Sequence, residues 1–362
     1  MQPSAPPPRW TPSAGGYWIV SGYHEVRSLL TDSRRFSSRQ TEMPNLKSEV
    51  RMPSLPFDLD PPQHTEIRRV LDPLTRNSRV RLHEQTIRQT AKALAARLCA
   101  REEFELMDDF GIPLIATALW DLLGLNKADW PMFTDLSRVF TRRLADPSGT
   151  AEPGLSLELA IFRAIQDSQR EDGGLLSSLF ESTWCTYFPD RSVEIANIVI
   201  GLVGAALGNT VTVLASAVQH LDTHPADREL LRQPDARADS IAEEMLRLYP
   251  PVSPGRVVRR DTSLAGVQLH AGDFVLNSIH AANRDARVFE RPDEILLGRS
   301  RSHLSLGAGR HHCVGSSLAR IILAAGLEEF SSSLRHHRIR GRSMPVGGTP
   351  QRVPLLRLWL GR

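Results

Sequence analysis

The segment His303-Leu304-Ser305-Leu306-Gly307-Ala308-Gly309-Arg310-His311-His312-Cys313-Val314-Gly315 gathers residues able to do chemistry. It holds one cysteine, three histidines and three glycines. Glycines reach backbone conformations closed to other residues and let a flat ligand come close. A helix-forming run, Gly315 to Ile322, follows at once. A thiol at such a start meets unpaired N–H groups and the positive end of the helix dipole, which both favour the thiolate. A thiolate is a soft metal ligand. Zinc held by His303, His311, His312 and Cys313 would need a spacing that fits no common four-ligand pattern. A buried cysteine in a Gly-rich turn is the reading without chemistry.

Other charged residues stand at telling intervals. Glu244 and Arg247 are three apart on a helix predicted to end at Pro250-Pro251, so they share a face. Arg299 follows the run Phe289-Glu290-Arg291-Pro292-Asp293. His64 and Arg68 are four apart and point one way from a helix, and Arg256 lies on a short strand after Pro254.

These segments, in this order, resemble the cytochrome P450 family. The likeness runs from Tyr17 to Ile322 and takes in Tyr23-His24-Glu25-Val26, Arg35-Phe36-Ser37 and Ala282-Asn283-Arg284-Asp285. It implies a mainly helical fold with small β-sheets, a helical prism with haem between a long central helix and the Cys-loop helix. It implies haem b, with Cys313 as the iron ligand and with Leu306, Gly307 and Gly315 shaping the loop. The family usually has Phe where this chain has Leu306, which alters the packing beneath the sulfur rather than its ligation. His64, Arg68, Arg256 and His311 match positions that hold the haem propionates. Glu244, Arg247 and Arg299 match a structural cluster that locks the segment presenting the cysteine.

The central helix departs from the family pattern. The family places small residues, then an acid followed by Thr, where O2 is activated. Here the stretch is Gly204-Ala205-Ala206-Leu207-Gly208-Asn209-Thr210. Counting back from His224-Pro225 puts Gly208 at the acid and Asn209 at the alcohol. A shift by one puts Asn209 at the acid and Thr210 at the alcohol. Both registers stay open, and both lack the carboxylate. Ala206, Gly208, Asn209 and Thr210 are therefore the candidate distal residues. The leading reading is a monooxygenase or oxidative tailoring enzyme acting on a small organic, secondary-metabolite-like substrate. A haem-thiolate enzyme of other chemistry (nitrene or other group transfer, coupling, rearrangement) is the second. A non-catalytic haem-binding interaction protein is the third.

The surrounding elements must position these groups. Strands are expected at Tyr17–Val20, Arg256–Asp261, Val267–Leu269 and Phe274–Ile279. Helices are expected at His24–Leu30, Gln63–Asp72, Ser78–Ala100, Gly111–Leu123, Trp130–Leu144, Leu155–Glu171, Val193–Leu221, Arg237–Tyr249 and Val314–Leu334. The Pro-rich loop from Pro44 is the candidate lid over an apolar pocket that includes Val203, Ala206 and Val252. Residues 1–16 read as a flexible lead and 17–362 as one domain without a linker.

The chain has 362 residues and a net charge of +3, too mild to imply nucleic acid. Arginines 68, 69, 76, 79, 310 and 320 are candidates for docking a ferredoxin, itself served by a ferredoxin reductase. Cys99, Cys185 and Cys313 form no disulfide framework, and Met1–Pro12 lacks a secretory pattern, so a cytoplasmic location is expected. Cys99 reads as a small core residue. Ile195–Val218 has the length of a membrane span, but its Asn, Thr and Gly residues favour a helix buried in a large protein rather than membrane insertion.

Overall fold

The computed structural model describes residues 6–41, 54–124, 131, 134–135, 137–138, 174–182, 191–232, 238–300, 302–334, 337–339 and 357–360. Cys185, the helix expected at Leu155–Glu171, almost all of Trp130–Leu144 and residues 42–53 of the Pro-rich loop lie outside these.

The helices are α1 (Tyr23–Thr31), α2 (Gln63–Thr75), α3 (Asn77–Val80), α4 (Glu84–Leu98), α5 (Ile112–Leu123), α6 (Leu175–Glu181), α7 (Arg191–Ala205), α8 (Val211–Thr223), α9 (Pro225–Leu230), α10 (Ala238–Leu248), α11 (Ile279–Ala282) and α12 (Ser316–Ser331). The strands are β1 (Arg9–Thr11), β2 (Tyr17–Val20), β3 (Phe36–Ser37), β4 (Glu103–Glu105), β5 (Gly255–Val258), β6 (Thr262–Leu264), β7 (Val267–Leu269), β8 (Phe274–Asn277), β9 (His337–Ile339) and β10 (Arg357–Leu360). The stretch expected as one helix over Ser78–Ala100 is divided into α3, a tight turn at Arg81–His83 and α4.

The chain folds into two compact units. One comprises Met1–Arg69, Leu246–Leu296 and Ser300–Val314, and the other Val70–Met245, Leu297–Arg299 and Gly315–Arg362. Neither is a contiguous stretch, which is why the sequence shows no linker. The first unit carries a five-stranded sheet in the order β1-β2-β8-β5-β3. β2 and β8 run parallel with Trp18 opposite Val275, and β5 pairs antiparallel to β8 with Arg256 opposite Val275. Val20, Val26, Leu29, Phe36, Val258, Val275, Ile279 and Phe289 form one buried cluster in this unit. These apolar residues recur at strand and helix spacings, so β2, α1, β5 and β8 each give a face to it.

Arg9–Thr11, read from the sequence as part of the flexible lead, is instead strand β1, paired antiparallel with β2. The Trp10 ring packs edge-on against Trp18 with centroids 5.4 Å apart. That contact ties the exposed Trp10 to β2 across a turn containing Gly15 and Gly16, a pairing that Pro-rich composition concealed.

In the second unit, Ile87, Ala91, Leu94, Ala95 and Leu98 make one buried stripe along α4, which packs on α12 and α5. Cys99, expected in the core, lies just past that stripe and is exposed, its thiol donating to the Ser333 carbonyl at 3.3 Å. Ser192–Thr223 is continuous helix and is long and apolar enough to cross a membrane, yet it is mostly buried within the protein. Its buried hydroxyls turn inward on the helix: Thr212 donates to Gly208 O at 2.6 Å and Ser216 to Thr212 O at 2.8 Å.

One largely buried charge cluster gives the first unit a pH limit. Asp285 accepts hydrogen bonds from Tyr23 N at 2.9 Å and from Arg287 Nε at 2.8 Å. Arg287 above all holds its carboxyl down to about 2, against 3.8 normally. The folded value lies below the unfolded one, so the stabilisation is full above about pH 4 and fades as pH falls towards 2. It amounts to about 2 kcal/mol. Asp285→Asn is expected to lower stability by about that amount at neutral pH and to match the parent near pH 2, read by urea unfolding across pH.

Candidate active site

The cysteine loop is built by the backbone. Cys313 N–H donates to Leu306 O at 2.7 Å and Gly307 N–H to Leu304 O at 2.9 Å, closing a turn that ends at the cysteine. Gly307 and Gly309 adopt φ of +71° and +65°, the left-handed region. A Cβ on Gly307 would stand 3.0 Å from His311 O, and one on Gly309 would stand 3.1 Å from the Thr31 Cα of α1. Gly307→Ala therefore meets both strain and a backbone contact. A loss of about 1–2 kcal/mol is expected from the conformation alone, measurable as a lowered thermal midpoint. The following helix begins at Ser316, two residues later than the sequence suggests, with Ala319 N–H on Gly315 O. Leu306 is buried and Cys313 half-exposed.

Cationic side chains gather behind this loop. His64 is buried on α2 and its ring lies 4.0 Å from that of His311. Arg68, one turn further along α2, donates from Nη1 to His312 O at 2.7 Å and so ties α2 to the residue before Cys313. Arg256 is buried on β5 and donates to Gly255 O at 2.7 Å. Burial lowers its guanidinium to about 10, an effect partly offset by Asp60 and Asp58. His311 is held down to about 2 by burial first, then by neighbouring His64 and by the positive Arg256, Arg68 and Arg310. Its Nε2 is shielded from solvent and has no hydrogen-bond partner among the described residues. A site that refuses a further positive charge and carries an unmatched ring nitrogen has the chemistry to receive carboxylates. The four sequence-predicted positions are thus brought together in one place.

The scaffold residues divide their work. Arg247, fully buried, donates to the carbonyls of Asn283 at 3.1 Å, Glu294 at 2.9 Å and Pro292. Its guanidinium also lies over the Phe289 ring at 5.6 Å. In the other unit, Arg299 Nε pairs with Glu244 at 3.2 Å, with both side chains buried. Glu243, next to Glu244, is bonded to Arg320 of α12.

Comparison with known proteins gives the family. Residues 238–345 match the model of the cytochrome P450 family. A probable cytochrome P450 127A1 from Sinorhizobium fredii is 30% identical over 355 residues, covering 94% of this chain and 83% of its own length. The chain belongs to the cytochrome P450 family. Erythromycin C-12 hydroxylase from Saccharopolyspora erythraea is also 30% identical, over 87% of this P450 and 81% of its own chain. The crystal structure of HmtN, a post-tailoring hydroxylase involved in himastatin biosynthesis, superposes with a TM-score of 0.83. It covers 100% of this chain and 95% of that one at 24% identity, a likeness of fold. The protein is accordingly a P450 monooxygenase-type oxidoreductase with a haem iron cofactor and a small-molecule substrate.

The helix that carries Ala206–Thr210 shows why its register is ambiguous by counting. Ala206–Thr210 forms a π-turn between α7 and α8. A π-turn holds one more residue than an α-turn, so two alignments differing by one residue fit the same helix. Thr210 is buried, and Gly208 O receives the Thr212 hydroxyl. No carboxylate occurs among residues 203–212.

Three residues near the loop escaped the sequence reading as site elements. Asn283 and Ser305 bond the loop from beneath. Asp60 accepts from Ser37 Oγ at 2.5 Å, Ser38 N at 2.9 Å and Arg259 at 3.1 Å, pinning the start of the α2 segment that carries His64. Asp60 and Asn283 both stand in segments that carry the family likeness, and that was the only signal available.

Proposed function

We propose that this P450 is an oxidative tailoring enzyme that hydroxylates a small organic compound of secondary metabolism. It holds haem b through Cys313 and through the side chains of His64, Arg68, Arg256 and His311. The observation that carries the reading is the closed Leu306–Cys313 loop backed by a buried positive cluster with an unmatched His311 nitrogen. When bound, the haem supplies the dioxygen-activating chemistry, favoured by electron donation from a thiolate. The chain's own part is to keep the Cys313 sulfur anionic, to neutralise the propionates, and through Gly307 to admit the flat face of the ring. On the distal helix, Asn209 and Thr210 hold the polar positions, with Ala206 and Gly208 leaving space. Erythromycin C-12 hydroxylase, the relative named above, supports a substrate of biosynthetic origin.

Electrons reach the enzyme from an acidic ferredoxin with its reductase. Exposed Arg69 and Arg310 are the docking charges, and a steep fall in reduction rate with rising salt is the sign of such docking. The sparse cysteines support a cytoplasmic setting.

A second reading is favoured by one observation, the missing carboxylate around the π-turn: group transfer, coupling or rearrangement without reductase-driven oxygen activation. One experiment separates the two. Purified enzyme and candidate substrates are incubated with electron donor and O2, and again without donor under nitrogen. Product only in the first mixture, with oxygen from O2, supports the monooxygenase. Product in the second mixture overturns it in favour of the alternative.

A further inference from the structure

The loop that presents Cys313 is attached to the end of α10 through the Asn283 amide and the Ser305 hydroxyl. Asn283 has no exposed surface and caps α11. Its Nδ2 donates to Arg247 O at 3.0 Å and to Ser305 Oγ at 2.7 Å, and its Oδ1 accepts Leu304 N–H at 2.7 Å. Its own carbonyl receives Arg247 Nη1 at 3.1 Å. Ser305 in turn donates from Oγ to Leu246 O at 2.6 Å. Both amide hydrogens and the amide oxygen are thus used, and the carbonyls of Leu246 and Arg247, which the ending of α10 leaves without intrahelical donors, are satisfied by the loop's own supports.

We propose that Asn283 is the positioning residue of the thiolate, acting with Ser305 as its relay. Leu304 and Ser305 are fixed by these bonds, Gly307 N–H folds back on Leu304 O, and Leu306 O fixes Cys313 N–H. A displacement at Asn283 is passed along the backbone to the sulfur, because each successive bond starts within one or two residues of the last. Aspartate is the nearest isostere, yet it keeps only the acceptor for Leu304 N–H. It loses both donors and turns lone pairs towards Arg247 O and Ser305 Oγ. The inference rests on the haem-thiolate reading above.

The test uses the haem-loaded, full-length protein and its Asn283→Asp, Ser305→Ala and Asp285→Asn variants. The ferrous–CO spectrum reports whether sulfur binds as thiolate or as neutral thiol, and thermal melts report stability separately. Asn283→Asp is expected to lose the thiolate band in most of the bound haem. Ser305→Ala removes two hydrogen bonds, one accepted from Asn283 Nδ2 and one donated to Leu246 O, and is expected to shorten the lifetime of the thiolate form at least tenfold. Asp285→Asn, destabilised two residues away, keeps the parental band and lifetime. If Asn283→Asp does not fold, the Ser305→Ala lifetime decides. Variants that melt lower but keep the parental band and lifetime would overturn the inference and leave Asn283 as ordinary fold support. A parent protein without the thiolate band would instead overturn the haem-thiolate reading itself.

Discussion

Cys313→Ala is expected to abolish substrate oxidation completely while changing the stability of the haem-free chain by no more than about 1 kcal/mol. The sulfur is half-exposed, and the bond that closes the loop runs from the Cys313 backbone N–H to Leu306 O, which alanine preserves. The substitution therefore removes an iron ligand and very little packing. Haem content is expected to fall in part, since Arg68 and Arg256 still offer their charges, and His64 and His311 their ring nitrogens, to the propionates. Product assays and haem quantification on the parent and variant check this. A variant that retained oxidation would mean that the thiol is not the ligand.

Arg247→Leu is expected to do the reverse and act on the scaffold. Leucine would strand the carbonyls of Asn283, Pro292 and Glu294, three acceptors that Arg247 serves from a fully buried position. Each buried acceptor left unmatched costs about 1–3 kcal/mol. Their sum, roughly 4 kcal/mol after partial relaxation, is a large share of the ~5–15 kcal/mol that holds a domain together. Little soluble, haem-loaded protein should be recovered, and its denaturant midpoint should drop sharply. A variant melting within about 2 °C of the parent would contradict the account, because a loss of this size moves the midpoint by several degrees.

Much of this site was legible in the sequence because its parts are local. Glycines at 307 and 309, the cysteine six and four residues on, and the following helical run lie within one short stretch, and their backbone demands follow from residue type. The set His64, Arg68, Arg256 and His311 was legible only through the family likeness, as its convergence depends on segments almost 250 residues apart. What the sequence concealed shares one cause: partners distant along the chain. Arg9–Thr11 is a strand because of Trp18 and β2, not because of its Pro-rich surroundings. Cys99 follows an apolar stripe but lies one step beyond the last buried residue, on the exposed end of α4. Asn283 reads as an ordinary polar residue until Arg247, Leu304 and Ser305 surround it. The π-turn at Ala206–Thr210 carries no distinctive residue pattern, and so counting along the helix could not choose a register.

The most direct measurement is the absorption spectrum of the purified, haem-loaded parent protein, reduced under carbon monoxide. An anionic sulfur opposite the CO gives the long-wavelength band from which the family takes its name, and that band is the expected result. A band at the shorter wavelength typical of haem bound through histidine or a neutral thiol would contradict the central assignment of Cys313.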